Sequence, residues 1–358
     1  MEKSDKDVKS ISKKHYYQTL IIIFLAAVAW TYLSPKNPEI NSNQQKTERN
    51  FPVMGTFAQT IIYGEPELTE KASATVREVF TLVEKKCNIF DPKSEIYRLN
   101  KTAYKKAFKC SPLLWNMFNS SRRAYDLSGG AFDVSARPLM QLWGFYRKRG
   151  DTLPTVEEVK KAQSIIGLDK VIFDNKNHTV KFTVPGMSID FGGIAKGVAV
   201  QIAVQKIKAM GIKHGVIDLG GNMYCLGRPP APKEFYIIGI RDPLAKNKIC
   251  AKLSLRNQAV ATSGSYERYV TIKGRHYTHI MNPKTGKPVE DMLSVSILTS
   301  NAGDADFLST AIFIRGVDFA KLICKANPDT GVFIVRRNPK DKSKTETVKI
   351  GKLRIKQD

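Results

Sequence analysis

The run Ile189-Asp190-Phe191-Gly192-Gly193-Ile194-Ala195-Lys196-Gly197 sets an acid, three glycines and a lysine between an extended segment and an apolar helix. Ser188 to Phe191 reads as the end of a strand, and Val198 to Met210 repeats its apolar residues at helical spacing. Glycines at such a corner let backbone N–H groups approach an anion, the helix N-terminus favours negative charge, and Lys196 adds a point charge. The functional reading is a phosphate site, and the bland one is a plain tight turn. The spacing is neither that of a P-loop nor G-x-G-x-x-G, so nucleotide loops of those two kinds do not fit.

Far downstream, Ala302-Gly303-Asp304-Ala305-Asp306-Phe307-Leu308-Ser309-Thr310-Ala311 carries an acid and a hydroxyl four residues apart. On a helix Asp306 and Thr310 share one face, and both are hard oxygen donors suited to Mg²⁺ beside a phosphate. The competing reading is a helix-dipole acid and a threonine bonded back to its own turn. Between these segments come Val260-Ala261-Thr262-Ser263-Gly264-Ser265-Tyr266-Glu267-Arg268-Tyr269 and His279-Ile280-Met281-Asn282-Pro283-Lys284-Thr285-Gly286-Lys287-Pro288.

In this order the segments resemble the ApbE family of FAD:protein FMN transferases, with its GGIAKG corner, ATSG-Y-RY run, H-I-P-TG-P turn and AD-L-TA helix. Met54-Gly55-Thr56-Phe57, Phe132-Asp133-Val134-Ser135 and the stretch from Pro138 to Phe145 match too, so the resemblance spans Pro52 to Val317. It implies a T-fold-like α+β architecture of mixed helices and antiparallel sheets. It also implies FAD as substrate, Mg²⁺ on its pyrophosphate, and transfer of FMN to a threonine or serine hydroxyl of a target protein with release of AMP. Residue by residue, the implied metal ligands are Gly193, Asp306 and Thr310. The implied cofactor contacts are Met54, Phe90, Ser135, Trp143, Gly144, Phe145, Asp190, Lys196 and Ile280. His279 is the implied proton acceptor, because a near-neutral imidazole can take a hydroxyl proton, and Asp306 is the rival base.

Each of these residues has a structural reading beside the functional one. Asp190 could cap a helix, Lys196 could be a solvated first-turn lysine, and Met54, Phe90 and the Trp143–Phe145 aromatics could be packing. Family members often carry Tyr or Trp where Phe90 stands, and an acid where Asn282 stands. The same site would also serve an FAD pyrophosphatase giving FMN and AMP, or a non-catalytic flavin-binding protein. The intact Asp306/Thr310 pair argues against the binder.

The 358 residues carry 42% hydrophobic residues, enough for a sizeable core. The apolar run from Tyr16 to Leu33 follows Lys9, Lys13 and Lys14, which predicts an anchor in a bacterial inner membrane with residues 1–15 cytoplasmic and the catalytic body facing the periplasm. A cleaved signal peptide is the alternative. Residues 34–50 read as a linker, 51–336 as the catalytic domain and 337–358 as a basic C-terminal segment. Five scattered cysteines without CxxC spacing argue against a disulfide framework or a zinc site. The net charge of +24 accompanies no nucleic-acid motif, so a basic surface near anionic lipid or a polyanionic ligand explains it instead. The expected partners are FAD, a membrane, and a flavin-acceptor protein such as an exported Rnf- or Nqr-type redox pump subunit.

Overall fold

A computed structural model describes residues 45–356 apart from Lys148 and Lys246. The expected anchor at 16–33 and residues 34–44 of the expected linker lie outside the described residues. Among the described residues, no helix is long and apolar enough to cross a membrane. The elements run β1 (Gln45–Val53), β2 (Thr56–Gly64), α1 (Pro66–Cys87), α2 (Glu95–Thr102), β3 (Phe108–Lys109), α3 (Pro112–Ser128), α4 (Arg137–Leu142) and α5 (Val156–Ser164). Next come β4 (Val171–Asp174), β5 (Thr179–Phe182), α6 (Ala195–Ala209), β6 (His214–Leu219), β7 (Asn222–Leu226), β8 (Tyr236–Arg241), β9 (Ile249–Leu255) and β10 (Gln258–Gly264). The chain closes with β11 (Tyr269–Ile272), β12 (Arg275–Thr278), β13 (Met281–Asn282), β14 (Lys287–Pro288), β15 (Met292–Thr299), α7 (Ala302–Arg315), α8 (Val317–Ala326), β16 (Gly331–Arg337) and β17 (Thr345–Gly351).

The main sheet has the order β1-β2-β6-β7-β10-β15-β16-β17, and every neighbouring pair is antiparallel. Both faces are covered, so its central strands are apolar on both sides rather than alternating. In β16, Val332 and Ile334 enter the large core beneath α1, α6 and α7. Phe333 and Val335, one residue out of phase, enter a second core together with Tyr236, Ile240, Leu253 and Leu255 of the β8–β9 hairpin. The period of two thus serves two cores at once.

Three expectations are corrected. The single strand expected over 53–63 is a hairpin: Met54 and Gly55 take positive φ (54° and 69°) and turn β1 into β2. The linker boundary at 50 falls inside β1, where Thr47 is buried with its hydroxyl on that of Thr69. No strand leads into the glycine corner either. The side-chain amide of Asn100 brackets Ile189 instead, its Oδ1 accepting the backbone N–H at 2.7 Å and its Nδ2 donating to the carbonyl at 2.9 Å. One amide therefore satisfies the backbone as a neighbouring strand would.

Helices α6 and α7 meet at Gly197. A Cβ there would lie 2.4 Å from the Ala302 carbonyl oxygen and 2.4 Å from Asp306 Cβ, both fixed parts of α7. Gly197→Ala is therefore expected to lower stability by about 3 kcal/mol, since the added methyl must push two packed helices apart. Chemical denaturation would check it, and a variant within about 0.5 kcal/mol of wild type would show that the contact yields freely.

Candidate active site

Helix α6 starts without a side-chain cap. The Phe191 carbonyl takes the N–H groups of Ile194 and Ala195, and Asp306 Oδ2 takes that of Gly197 at 2.8 Å. The carboxylate that closes this N-terminus thus comes from α7. Asp306 is only 6% exposed on a helix buried nearly all round. Burial raises its pKa, while the Lys196 charge and the Gly197 N–H pull the other way. Four residues on, the Thr310 hydroxyl lies 3.0 Å from Ser263 Oγ on β10, which also meets Ser309 Oγ at 2.8 Å.

A cavity of about 220 Å³ opens over this corner, and Asp190, Gly193, Lys196, His279, Ile280 and Thr310 all line it. Asp306 sits behind its wall, under Gly197. A second cavity of about 450 Å³ adjoins it, lined by Met54 and Phe90 and sharing Tyr146, Asp190, Gly192 and Arg268 with the first. Asp190 does not cap α6. Its Oδ1 accepts the Gly192 N–H at 2.9 Å and its Oδ2 the Tyr146 hydroxyl at 2.5 Å. Phe90 is 63% exposed with its ring edge-on to Tyr146 at 5.9 Å, an open aromatic face at the cavity mouth. Met54 sits at the β1–β2 turn, which the Glu84 carboxylate holds by accepting the Met54 N–H at 2.7 Å.

His279 is oriented by backbone. Its Nδ1 lies 3.0 Å from the Arg268 carbonyl oxygen, which also takes the His279 N–H at 3.1 Å. A carbonyl only accepts, so Nδ1 carries the proton and Nε2 keeps its lone pair. Burial, aided by the charges of Arg268 and Lys196, lowers the imidazole pKa to about 4, so His279 is neutral at pH 7. Asn282 shapes the following turn: its Oδ1 accepts the Lys284 N–H at 3.0 Å and its carbonyl that of Gly286 at 2.8 Å. No acid is needed for that turn.

Four expected cofactor contacts fall elsewhere. Ser135 is fully buried, its hydroxyl donating to Asp133 Oδ1 at 2.7 Å and accepting the Gly167 N–H at 2.6 Å, so it faces no cavity. This pair holds the 133–136 turn, while burial raises the Asp133 carboxyl to about 6. Trp143 donates from Nε1 to the Gly286 carbonyl at 2.9 Å and packs on Tyr277. With Gly144 and Phe145 it lines a separate groove of about 740 Å³. Tyr146 and Arg268 were not singled out from the sequence, although both stand inside or next to motif runs. Their signal is spatial: each lines both cavities over the corner.

An Mg²⁺ ion would find here the buried Asp306 carboxylate and the Thr310 hydroxyl, with Gly193 on the same cavity wall as the backbone position that the family resemblance implies as a third oxygen ligand. That is an all-oxygen set leaving further positions for phosphate oxygens and water, as this cation prefers. Among the described residues there is no cluster of three or more His, Cys, Asp or Glu side chains that could hold a metal ion.

The ApbE family matches residues 54–334, which takes in every element of the site. The chain belongs to the ApbE family. The FAD:protein FMN transferase of Haemophilus influenzae is 28% identical over 276 residues, covering 75% of this chain and 79% of that protein. That of Treponema pallidum is 29% identical over 300 residues, covering 79% and 82%. Among solved structures, the ApbE protein of Thermotoga maritima superposes with a TM-score of 0.74 at 29% identity, covering 82% of this chain and 94% of that one. The flavin transferase ApbE of Vibrio cholerae gives 0.75 at 23% identity, covering 86% and 97%. The mixed helices and antiparallel sheet described above are thus the ApbE fold.

Proposed function

We propose that this protein transfers FMN from FAD to a threonine or serine hydroxyl of a target protein and releases AMP. One observation carries the reading: three segments spread over more than a hundred residues of sequence converge on one cavity, with Lys196, a neutral His279 and Thr310 on its wall. Membership of a family whose relatives are FAD:protein FMN transferases supports it. The pyrophosphate lies over the α6 N-terminus, where Lys196 and the helix dipole oppose its charge. Mg²⁺, held by Asp306, Thr310 and the Gly193 carbonyl, would neutralise the pyrophosphate further. Met54, Phe90 and Tyr146 receive an aromatic ring of the dinucleotide in the adjoining cavity. His279 Nε2 accepts the proton of the acceptor hydroxyl as its oxygen bonds to the FMN phosphorus. The bond from that phosphorus to the bridging oxygen breaks, and AMP leaves with it. Positioning and charge do most of the work in phosphoryl transfer, and little else is asked of the protein.

The apolar run at 16–33 would hold this body at a bacterial inner membrane, facing the periplasm. The acceptor is then an exported redox protein of the kind found in Rnf- or Nqr-type pumps. Incubation with FAD, Mg²⁺ and candidate acceptors, read as flavin fluorescence that survives denaturing electrophoresis, tests the reaction. Stoichiometric FMN and AMP with no labelled acceptor would make the protein an FAD pyrophosphatase. FAD binding with no turnover would make it a flavin carrier.

A further inference from the structure

We propose that the outer edge of β11 is the docking strand for the acceptor, which binds as one more extended strand and runs its hydroxyl residue into the site. The proposal rests on the transferase reading and adds how the protein substrate is held. β11 pairs with β12 alone, through a two-residue turn at Lys273-Gly274, with Ile272 opposite Arg275 and Tyr269 opposite Thr278. Both turn residues have positive φ (50° and 73°), the geometry of a type I′ hairpin whose closing pair is hydrogen-bonded. Antiparallel pairs alternate, so Ile272/Arg275, Val270/Tyr277 and Arg268/His279 exchange backbone bonds, and the His279 N–H on the Arg268 carbonyl fits that parity.

The backbone groups of Tyr269, Thr271 and Lys273 therefore point away from β12. Of these, the Lys273 N–H is taken by the Asp151 carboxylate, which shows what the edge faces. Tyr269 and Thr271 pair with no strand among the described residues. In front of them lies the groove of about 740 Å³, walled by Trp143, Phe145, Arg149 and Asp151 on one side and by residues 267–272 on the other. An unpaired strand edge beside a groove walled by both aromatic and charged side chains is an arrangement that accepts an extended peptide by main-chain pairing.

The occupant follows from where the edge leads. Arg268, the residue before β11, lines this groove and both cavities over the glycine corner, and its carbonyl orients His279. A chain paired along β11 is thus delivered to the base. Only a reacting partner has cause to be there. Four residues of strand cover about 13 Å, enough to fix the register of a short acceptor motif.

The test uses the full chain, FAD, Mg²⁺ and a library of capped dodecapeptides, each with one central threonine, with flavin fluorescence on the peptide as readout. Thr271→Pro removes an outward N–H without touching the ladder to β12, and edge strands tolerate proline. The peptide KM should rise at least tenfold with kcat little changed and FAD affinity retained. Labelled peptides re-made with N-methyl groups at alternate residues should lose labelling in one parity and keep it in the other, on the unaltered protein. Equal labelling by Thr271→Pro, or tolerance of both methylation parities, overturns the docking strand and leaves the transferase standing. A wild-type chain that binds FAD and cleaves it yet labels no peptide removes the transferase reading, and this one with it.

Discussion

Asp306→Asn should abolish Mg²⁺-dependent transfer while leaving the protein folded. The amide oxygen of the asparagine can still accept the Gly197 N–H that Asp306 Oδ2 now takes at 2.8 Å, so the joint between α6 and α7 keeps its hydrogen bond. What disappears is the one carboxylate of the oxygen set. A metal beside a transferring phosphoryl group supplies several kcal/mol of charge stabilisation, and each 1.4 kcal/mol is tenfold in rate, so a loss of about 100-fold or more is expected. Stability should hardly move. A carboxylate only 6% exposed among apolar neighbours already pays for its desolvation, and the neutral amide relieves that cost while adding an N–H₂ group that must find a partner. Thermal unfolding gives a readout independent of turnover. In the presence of FAD, Mg²⁺ should raise the wild-type Tm by mass action, and that increment should vanish in the variant. Full activity, or an unchanged Mg²⁺ increment, would remove Asp306 from the metal set.

How much of this was legible beforehand depends on what kind of signal each part carries. The glycine corner, Asp306 with Thr310, and His279 with Ile280 stand out in the sequence because they sit in short, ordered runs, and the structure gathers them at one corner. Main-chain glycines and an i, i+4 pair state their geometry locally. Ser135 lies in a run that matches the family while its hydroxyl faces inward, and only burial reveals that. Tyr146 donates its hydroxyl to Asp190, 44 residues away, a contact with no sequence period. Residues 45–50 of β1 read as linker because QKTERNFPV is polar, is interrupted by Pro52, and buries only Thr47, Phe51 and Val53. The β11–β12 hairpin was hidden for a like reason. Its strands carry Arg, Tyr, Thr and His, and the Lys-Gly turn is a weaker marker than Asn-Gly. In the central sheet the apolar strands announced themselves, yet their two-sided burial made the facing direction unreadable until the β8–β9 hairpin was seen to cover the second face.

His279→Ala should separate chemistry from binding. A positioned general base contributes roughly 10²–10⁴-fold to rate, so single-turnover transfer should fall by that factor. FAD affinity should change little, because a neutral imidazole adds nothing to the charge that Lys196 and the α6 N-terminus set against a pyrophosphate. The pH dependence gives a second handle. With the free-protein pKa lowered to about 4, the base is already unprotonated at neutral pH, so wild-type kcat/KM should stay level on the His279 account from pH 8 down to about 5, then fall. Stability carries the same signature with a fixed sign. Below the ordinary histidine pKa of about 6.5 the unfolded chain binds a proton that the folded site refuses, so folding weakens as pH drops through that window toward 4. His279→Ala should flatten that part of the stability curve. Loss of rate with retained FAD affinity and a flattened acid limb would fit the proton acceptor. Loss of affinity and rate together would mean that the ring only shapes the turn between β12 and β13. Near-normal transfer across pH 6 to 8 would hand the proton to Asp306 or to the metal site.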